Sequence, residues 1–135
     1  MFKFKVLSSM LVAAALLAPV GASAHQPEGC GLQGQRITKV VPYEVEQRTG
    51  RVSIKKLAGA VVYVQAKPGL TKEWLELSLA RHVSAMRADR MPNCAFAGDV
   101  KVSVDSAGTG FAVKLVAKDR ASAKEVLRLA RSLAQ

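Results

Sequence analysis

Two neighbouring stretches decide the fold: GAVVYVQA at residues 59–66 and LTKEWLELSLARHVSAM at residues 70–86. The first stretch is apolar at both odd and even positions, which is typical of a strand buried in the middle of a sheet. The second stretch has Thr71 as a helix N-cap and apolar residues every three or four positions. A buried strand followed by an amphipathic helix predicts a domain in which helices pack on a sheet.

This first helix should end before Pro92, because proline cannot continue a helix. Its apolar face would carry Leu75, Leu79, His82, Val83 and Met86. Residues 100–104 and 111–117 then alternate apolar and polar side chains around the turn sequence SAGTG, so they predict a β-hairpin. Asp119 can cap a last helix. The apolar stripe of that helix would comprise Ala123, Val126, Leu127, Ala130 and Leu133, with Lys124, Arg128 and Arg131 facing water.

Upstream of the buried strand, residues 37–45 and 52–55 predict another hairpin. Pro42 cannot donate a ladder hydrogen bond, so its strand belongs at a sheet edge or is bent. The element order is therefore a β-hairpin followed by β-α-β-β-α. It predicts an α+β domain with an antiparallel-rich sheet and two helices on one face. This is a variant of the ferredoxin-like split βαβ unit that lacks its last strand, which the N-terminal hairpin can supply.

The stretch PGLTKEWL at residues 68–75 continues through MPNC at 91–94 and GFAVKLVAKDRASAKEVLRLARSL at 110–133. It resembles a family of small secreted bacterial proteins that share the pattern PGLTxEWL…GFAV…AxEVLRxA and have no assigned function. The resemblance covers residues 59–134. Because these motifs are mostly caps, turns and core positions, the resemblance implies the fold and implies no mechanism.

The first 24 residues have the order of a secretory signal peptide. Lys3 and Lys5 make the basic region, residues 6–18 make the apolar region, and Ala22 and Ala24 flank Ser23 at the cleavage site. The apolar region is shorter than the roughly 20 residues that span a bilayer. The sequence therefore predicts cleavage after Ala24 and a periplasmic or secreted protein.

The cleaved chain would start at His25 and contain no transmembrane segment. Residues 25–36 (HQPEGCGLQGQR) have no apolar periodicity and are expected to form an irregular segment, and residues 37–135 a single α+β domain. Export places Cys30 and Cys94 in an oxidising compartment. Two cysteines in an exported domain most simply form one disulfide.

The chain of 135 residues has 20 Lys+Arg against 10 Asp+Glu, a formal net charge of +10. Loss of the two leader lysines leaves 18 − 10 = +8. A basic exported domain attracts anionic partners such as lipopolysaccharide, peptidoglycan, phospholipid headgroups or extracellular nucleic acid. Because aromatic residues make up only 5% of the chain and do not alternate with the basic ones, we expect no specific nucleic-acid binding.

A second pattern is a set of candidate copper ligands. Cleavage would give His25 a free amine beside its imidazole, and His82 is the only other histidine. Imidazole and soft sulfur suit copper better than magnesium or calcium. The candidate metal ligands are His25, His82, Met86, Met91 and Cys94. Cys94 can serve as a ligand only if it is not oxidised to Cys30.

Signatures of catalysis are weak in this chain. Residues 29–34 match G-x-G-x-x-G, but a cleaved leader precedes them and a predicted strand follows, whereas a dinucleotide site needs a strand before and a helix after. The sequence contains no C-x-x-C, H-E-x-x-H or G-x-S-x-G motif. We therefore expect a small exported, non-enzymatic binding or accessory module of the bacterial envelope. Its partner would be a protein, a metal ion such as copper, or an anionic envelope component.

Overall fold

The structure is a computed structural model, and it describes residues 30–89 and 93–135. Four strands and two helices follow one another in the order ββαββα. Their bounds are β1 Ile37–Thr49, β2 Val52–Gln65, α1 Lys72–Asp89, β3 Val100–Ala107, β4 Gly110–Ala117 and α2 Arg120–Ser132. The expected α+β class is confirmed.

The strands form one sheet in the order β1-β2-β4-β3, and every neighbouring pair is antiparallel. Both β2 and β3 therefore run opposite to β4, which lies between them, so β2, α1 and β3 make a split βαβ unit. The edge position next to β2, where the last strand of such a unit would lie, is occupied by β1. The N-terminal hairpin thus supplies the missing strand, as the sequence predicts.

One face of the sheet carries the core. Its central side chains are valines and leucines that pair across the strands, such as Val62 opposite Val113 and Val104 opposite Val113 on the other side. Both helices contribute their apolar faces to the same cluster, with Leu75 and Leu79 from α1 and Val126, Leu129 and Ala130 from α2. The two helices therefore cover the same side of the sheet, and no helix within residues 30–89 and 93–135 packs on the opposite side.

Side-chain caps start both helices. Thr71 accepts a hydrogen bond through Oγ1 from the backbone N–H of Trp74, over 3.1 Å. Asp119 accepts one through Oδ1 from the backbone N–H of Ser122, over 2.9 Å. Both caps were predicted. Leu129 is buried in α2 although the predicted stripe did not include it, whereas Leu127 and Leu133 are only partly buried.

The second predicted hairpin strand and the predicted central strand are one continuous strand, β2, and this corrects the expected element order. Its register with β1 shifts between Tyr43 and Glu44, where Gly59 and Leu57 are the successive partners and Ala58 is left over. Such a β-bulge reverses which residues of the bulged strand point to each face. The apolar pattern of β2 therefore changes at Ala58, so its sequence resembles that of two short strands.

Candidate binding surface and the His82 cluster

His82 lies on α1 beside the disulfide that joins Cys30 to Cys94. The two cysteine Cα atoms are 5.4 Å apart, within the range that a disulfide spans, so the predicted bridge is confirmed. The backbone N–H of Gly31 donates a hydrogen bond to His82 Nε2 over 3.1 Å. The same Nε2 atom lies 3.6 Å from Cys94 Sγ. The ring of Phe96 meets the imidazole edge-on, with the ring centroids 5.8 Å apart.

The hydrogen bond from Gly31 determines which nitrogen of His82 carries the proton. Because Nε2 accepts, the neutral imidazole holds its proton on Nδ1. Burial also lowers the pKa of His82 below its ordinary value, since a charged ring would lose hydration. His82 is therefore a neutral acceptor at pH 7, and it holds the N-terminal segment against α1.

The structure places the described candidate copper ligands in different surroundings. Cys94 is bonded to Cys30, so in this oxidised form it offers no thiolate to a metal. Met86 is 5% exposed and belongs to the core cluster, and His82 Nε2 is already an acceptor for Gly31. His25 and Met91 lie outside the described residues. Within residues 30–89 and 93–135, no three His, Cys, Asp or Glu side chains come together as a metal site. Copper binding stays a prediction.

The open face is the side of the sheet opposite the helices. Three rows cross it, each with one residue from β1, β2, β4 and β3 in turn: Lys39, Tyr63, Ala112 and Asp105; Val41, Val61, Lys114 and Ser103; Tyr43, Gly59, Val116 and Lys101. The middle of this grid is mainly apolar, and its edges are mainly polar. No element of the described structure packs over it.

The charges of the open face are unevenly paired. Lys114 Nζ lies 4.0 Å from Asp105 Oδ2 and 5.0 Å from the centroid of the Tyr43 ring, a cation–π contact. Lys39 and Lys101 have no ion-pair partner in the described part of the chain. The face is therefore mainly apolar at its centre, where Lys114 is the one charged residue, and each edge carries a lysine without an ion-pair partner among the described residues.

The β-arm, which we define as residues 44–57, projects from the sheet. Strand β4 pairs with β2 only from Gly59 onward, so the arm's two strands pair with each other alone. Its cross-strand partners divide it into two sides. One side, which we call the apolar side, comprises Val45, Gln47, Thr49, Val52, Ile54 and Lys56. The other side comprises Glu44, Glu46, Arg48, Ser53, Lys55 and Leu57. The apolar side is mostly uncharged and continues the open face along β1, whereas the other side carries two acidic and two basic residues.

A groove of about 470 Å³ runs between the N-terminal segment and the end of α2, next to the disulfide. Leu32, Ile37, Leu129 and Leu133 provide much of its apolar lining. The side-chain oxygen Oε1 of Gln35 is buried there without a hydrogen-bond partner among the described residues. Polar side chains such as Arg128 and Ser132 also line the groove, which is therefore of mixed character.

Sequence reasoning did not find the open face or the β-arm as a surface. The aromatic residues that matter, Tyr43 and Tyr63, are 20 positions apart in the chain and share the face only because β1 pairs with β2. The alternation of Val41, Tyr43 and Val45 was the available signal. It predicts one apolar side of an edge strand, but it does not tell which side the helices cover.

No family model, no curated protein and no solved structure matches this chain. No helix in the described ranges is both long and apolar enough to cross a membrane. The open face and the β-arm are the two features of the described residues that bear most directly on function.

Proposed function

We propose that the protein is a small exported, non-enzymatic binding module of the bacterial envelope, and that its open face binds an anionic envelope component. The observation that carries this proposal is the uncovered sheet face, where Lys39 and Lys101 flank an apolar centre. The apolar centre is partly exposed, since Tyr63 and Val116 are half-buried, whereas Val61 is only 9% exposed. A partly exposed apolar patch with a charged rim is typical of a binding surface. The net charge of the whole chain adds a long-range attraction for anions.

The positions of the two free lysines favour an extended partner. Lys39 is on edge strand β1 and Lys101 is on edge strand β3, so three strand spacings separate them. At about 4.8 Å a spacing, the lysine backbones are at least roughly 14 Å apart. A single small anion cannot bridge that distance, whereas a polyanion or an anionic surface can contact both lysines and cover the apolar centre.

Export rests on the leader pattern of residues 1–24 and is supported by the disulfide, a bond that persists in oxidising compartments. We expect the exported protein to begin at His25. Intact-mass measurement on protein from the periplasm and from the medium tests both the cleavage site and the compartment. Retention of Met1 on all exported protein would contradict the leader assignment.

Titration with lipopolysaccharide at two salt concentrations tests the open face. The double variant Lys39→Glu/Lys101→Glu should weaken binding by more than about tenfold at low salt, since each basic residue near an anionic surface contributes about 1 kcal/mol. Raising the salt should weaken binding of the unmodified protein, because exposed charges are screened.

The matched control is Lys124→Glu/Arg131→Glu on α2. Both side chains are exposed, have no ion-pair partner in the described ranges, and give the same change in net charge. The control should retain most of the affinity, because α2 packs on the other side of the sheet. Equal losses in the two double variants would mean that only net charge matters, and the open face would be rejected as the site.

A further inference from the structure

We infer that the β-arm inserts its apolar side into the surface of an anionic phospholipid bilayer. This inference rests on the proposed function, since it names the anionic component and assigns a second contact to the same side of the sheet. Three aliphatic side chains of the arm are exposed to solvent. Val52 is 59% exposed, Ile54 55% and Val45 37%, and all three lie in the arm. Aliphatic side chains this exposed gain free energy when an apolar medium covers them.

The arm's register places these three side chains together. Val45 pairs with Lys56, Ile54 with Gln47, and Val52 with Thr49, and paired residues of antiparallel strands point to the same side. The side therefore contains three aliphatic residues, two uncharged polar residues and a single lysine. A lysine at such a position can extend its ammonium group toward water or a phosphate while its methylene chain stays in the apolar layer.

Charge selects a bilayer over a second copy of this chain. The arm carries Arg48, Arg51, Lys55 and Lys56 against Glu44 and Glu46, a net charge of 4 − 2 = +2. Two arms that met through their apolar sides would bring two net charges of +2 together, in a chain that is already strongly basic. An anionic bilayer instead provides phosphates and an apolar layer within a few ångströms of each other.

The order of residues along the arm agrees with insertion from the tip. The two glutamates lie near the base, close to the sheet, whereas Arg51 lies in the turn and Val52 directly follows it. The tip therefore meets anionic headgroups with a cation and places an aliphatic residue beside it. Binding of this kind depends on buried apolar area together with attraction to anionic lipid.

Depth-dependent quenching tests the insertion. Trp74 is the only tryptophan, so the variant Trp74→Phe/Ile54→Trp reports from the arm alone. The matched control is Trp74→Phe/Leu77→Trp, because Leu77 is 53% exposed, as Ile54 is 55%, but lies on α1. Vesicles of phosphatidylglycerol and phosphatidylcholine with brominated acyl chains should quench the tryptophan at position 54 and leave that at position 77 unquenched. Equal quenching, or none at position 54, would overturn the inference.

Affinity gives a second, independent test. Val52→Thr/Ile54→Thr keeps two β-branched residues in the arm and removes apolar surface, so it should lower affinity for the same vesicles about tenfold. The control Leu77→Thr should leave that affinity unchanged. Every variant keeps the same N-terminus, so any contribution from residues 1–24 cancels in the comparison.

These experiments separate the inference from the proposed function. If Lys39→Glu/Lys101→Glu abolishes lipopolysaccharide binding while the arm variant binds vesicles normally, the open face stands and arm insertion is rejected. If the arm variant loses vesicle binding while the lysine variant retains lipopolysaccharide binding, arm insertion stands and the open face is rejected as the lipopolysaccharide site. A protein that dimerises through the arm without binding vesicles, detected by light scattering, would also overturn the inference.

Discussion

Gly31 donates its backbone N–H to Nε2 of His82, a residue 51 positions further along the chain. This hydrogen bond lies next to the disulfide, because Cys30 precedes Gly31 and Cys94 Sγ is also close to Nε2. The hydrogen bond therefore attaches this short segment to α1, and the disulfide attaches it to Cys94, which lies between α1 and β3. Cys30 and Leu32 are buried as a result, although the segment contains neither helix nor strand.

The tight fit at Gly31 predicts that Gly31→Ala destabilises the protein by about 1–3 kcal/mol. A Cβ atom there would lie 3.0 Å from both His82 Cδ2 and Leu79 Cδ2, and φ is +28°. Gly34→Ala is the control, because Gly34 has φ of +76° and no neighbour near its Cβ position. Urea unfolding should show the larger loss for Gly31→Ala. Equal losses would mean that backbone strain alone accounts for the effect.

The neutral state of His82 predicts a dependence of stability on pH. The folded pKa lies below the unfolded value of about 6.5, so the unfolded chain takes up the proton first as pH falls. The contribution of His82 to the free energy of unfolding is therefore complete above about pH 6.5 and is lost as pH falls through the folded pKa. His82→Gln should show a shallower decline between pH 7.5 and 5 in urea unfolding. Parallel curves for the two proteins would contradict this assignment.

The same two proteins test the copper hypothesis. If His82 is a copper ligand with His25, calorimetric titration at pH 7.5 should show tight binding that disappears in His82→Gln. Affinity should also fall as pH drops, because both histidine and the free amine must lose protons before they bind metal. Equal binding by both proteins would remove His82 from the ligand set.

The disulfide closes a loop of 64 positions, so its loss should reduce stability by about 4 kcal/mol. The double variant Cys30→Ala/Cys94→Ala is preferable to a serine variant, because serine would place a polar hydroxyl at two buried positions. Guanidinium unfolding of this variant and of the unmodified protein measures the difference. Labelling of the unfolded, unreduced protein should find no free thiol, and two reactive thiols would contradict the bridge.

Gly59 lets β2 and β4 approach each other at the bulge. A Cβ atom on Gly59 would lie 1.8 Å from the carbonyl oxygen of Leu115, so the strands would have to separate. Gly59→Ala should cost at least about 2 kcal/mol. The control Gly108→Ala also has a positive φ, +58°, but faces open space, so it should cost less. A smaller loss for Gly59→Ala than for Gly108→Ala, measured by urea unfolding, would contradict this account.

The local signals of the sequence predicted most of the fold. Thr71 and Asp119 mark helix starts because a cap acts within three residues. Pro42 predicts that its strand is at an edge or bent, and β1 is an edge strand. The length of β2 could not be predicted in the same way. The bulge at Ala58 changes the apolar pattern in the middle of the strand, and only pairing with β1 shows that the strand continues.

The candidate surface was less predictable than the fold. The positive charge predicts an anionic partner but gives no position, because basic residues are spread over the whole chain. The contact of Lys114 with Tyr43 joins β4 to β1 across β2, and therefore depends on the complete sheet order. The interpretation of Cys94 as either bridge or ligand needed a Cα–Cα distance, which the sequence does not contain.

The element order ββαββα repeats one ββα unit, and the second strands of the two units, β2 and β4, are adjacent at the centre of the sheet. Each cysteine precedes the first strand of its unit, so the disulfide joins equivalent points of the two units. The units differ most in their hairpins, since β1 and β2 have 13 and 14 residues whereas β3 and β4 have 8 each. The additional length is the β-arm. No residue of the β-arm belongs to the hydrophobic core cluster of the described residues, so this hairpin can change in length and sequence without disturbing the packing under the helices.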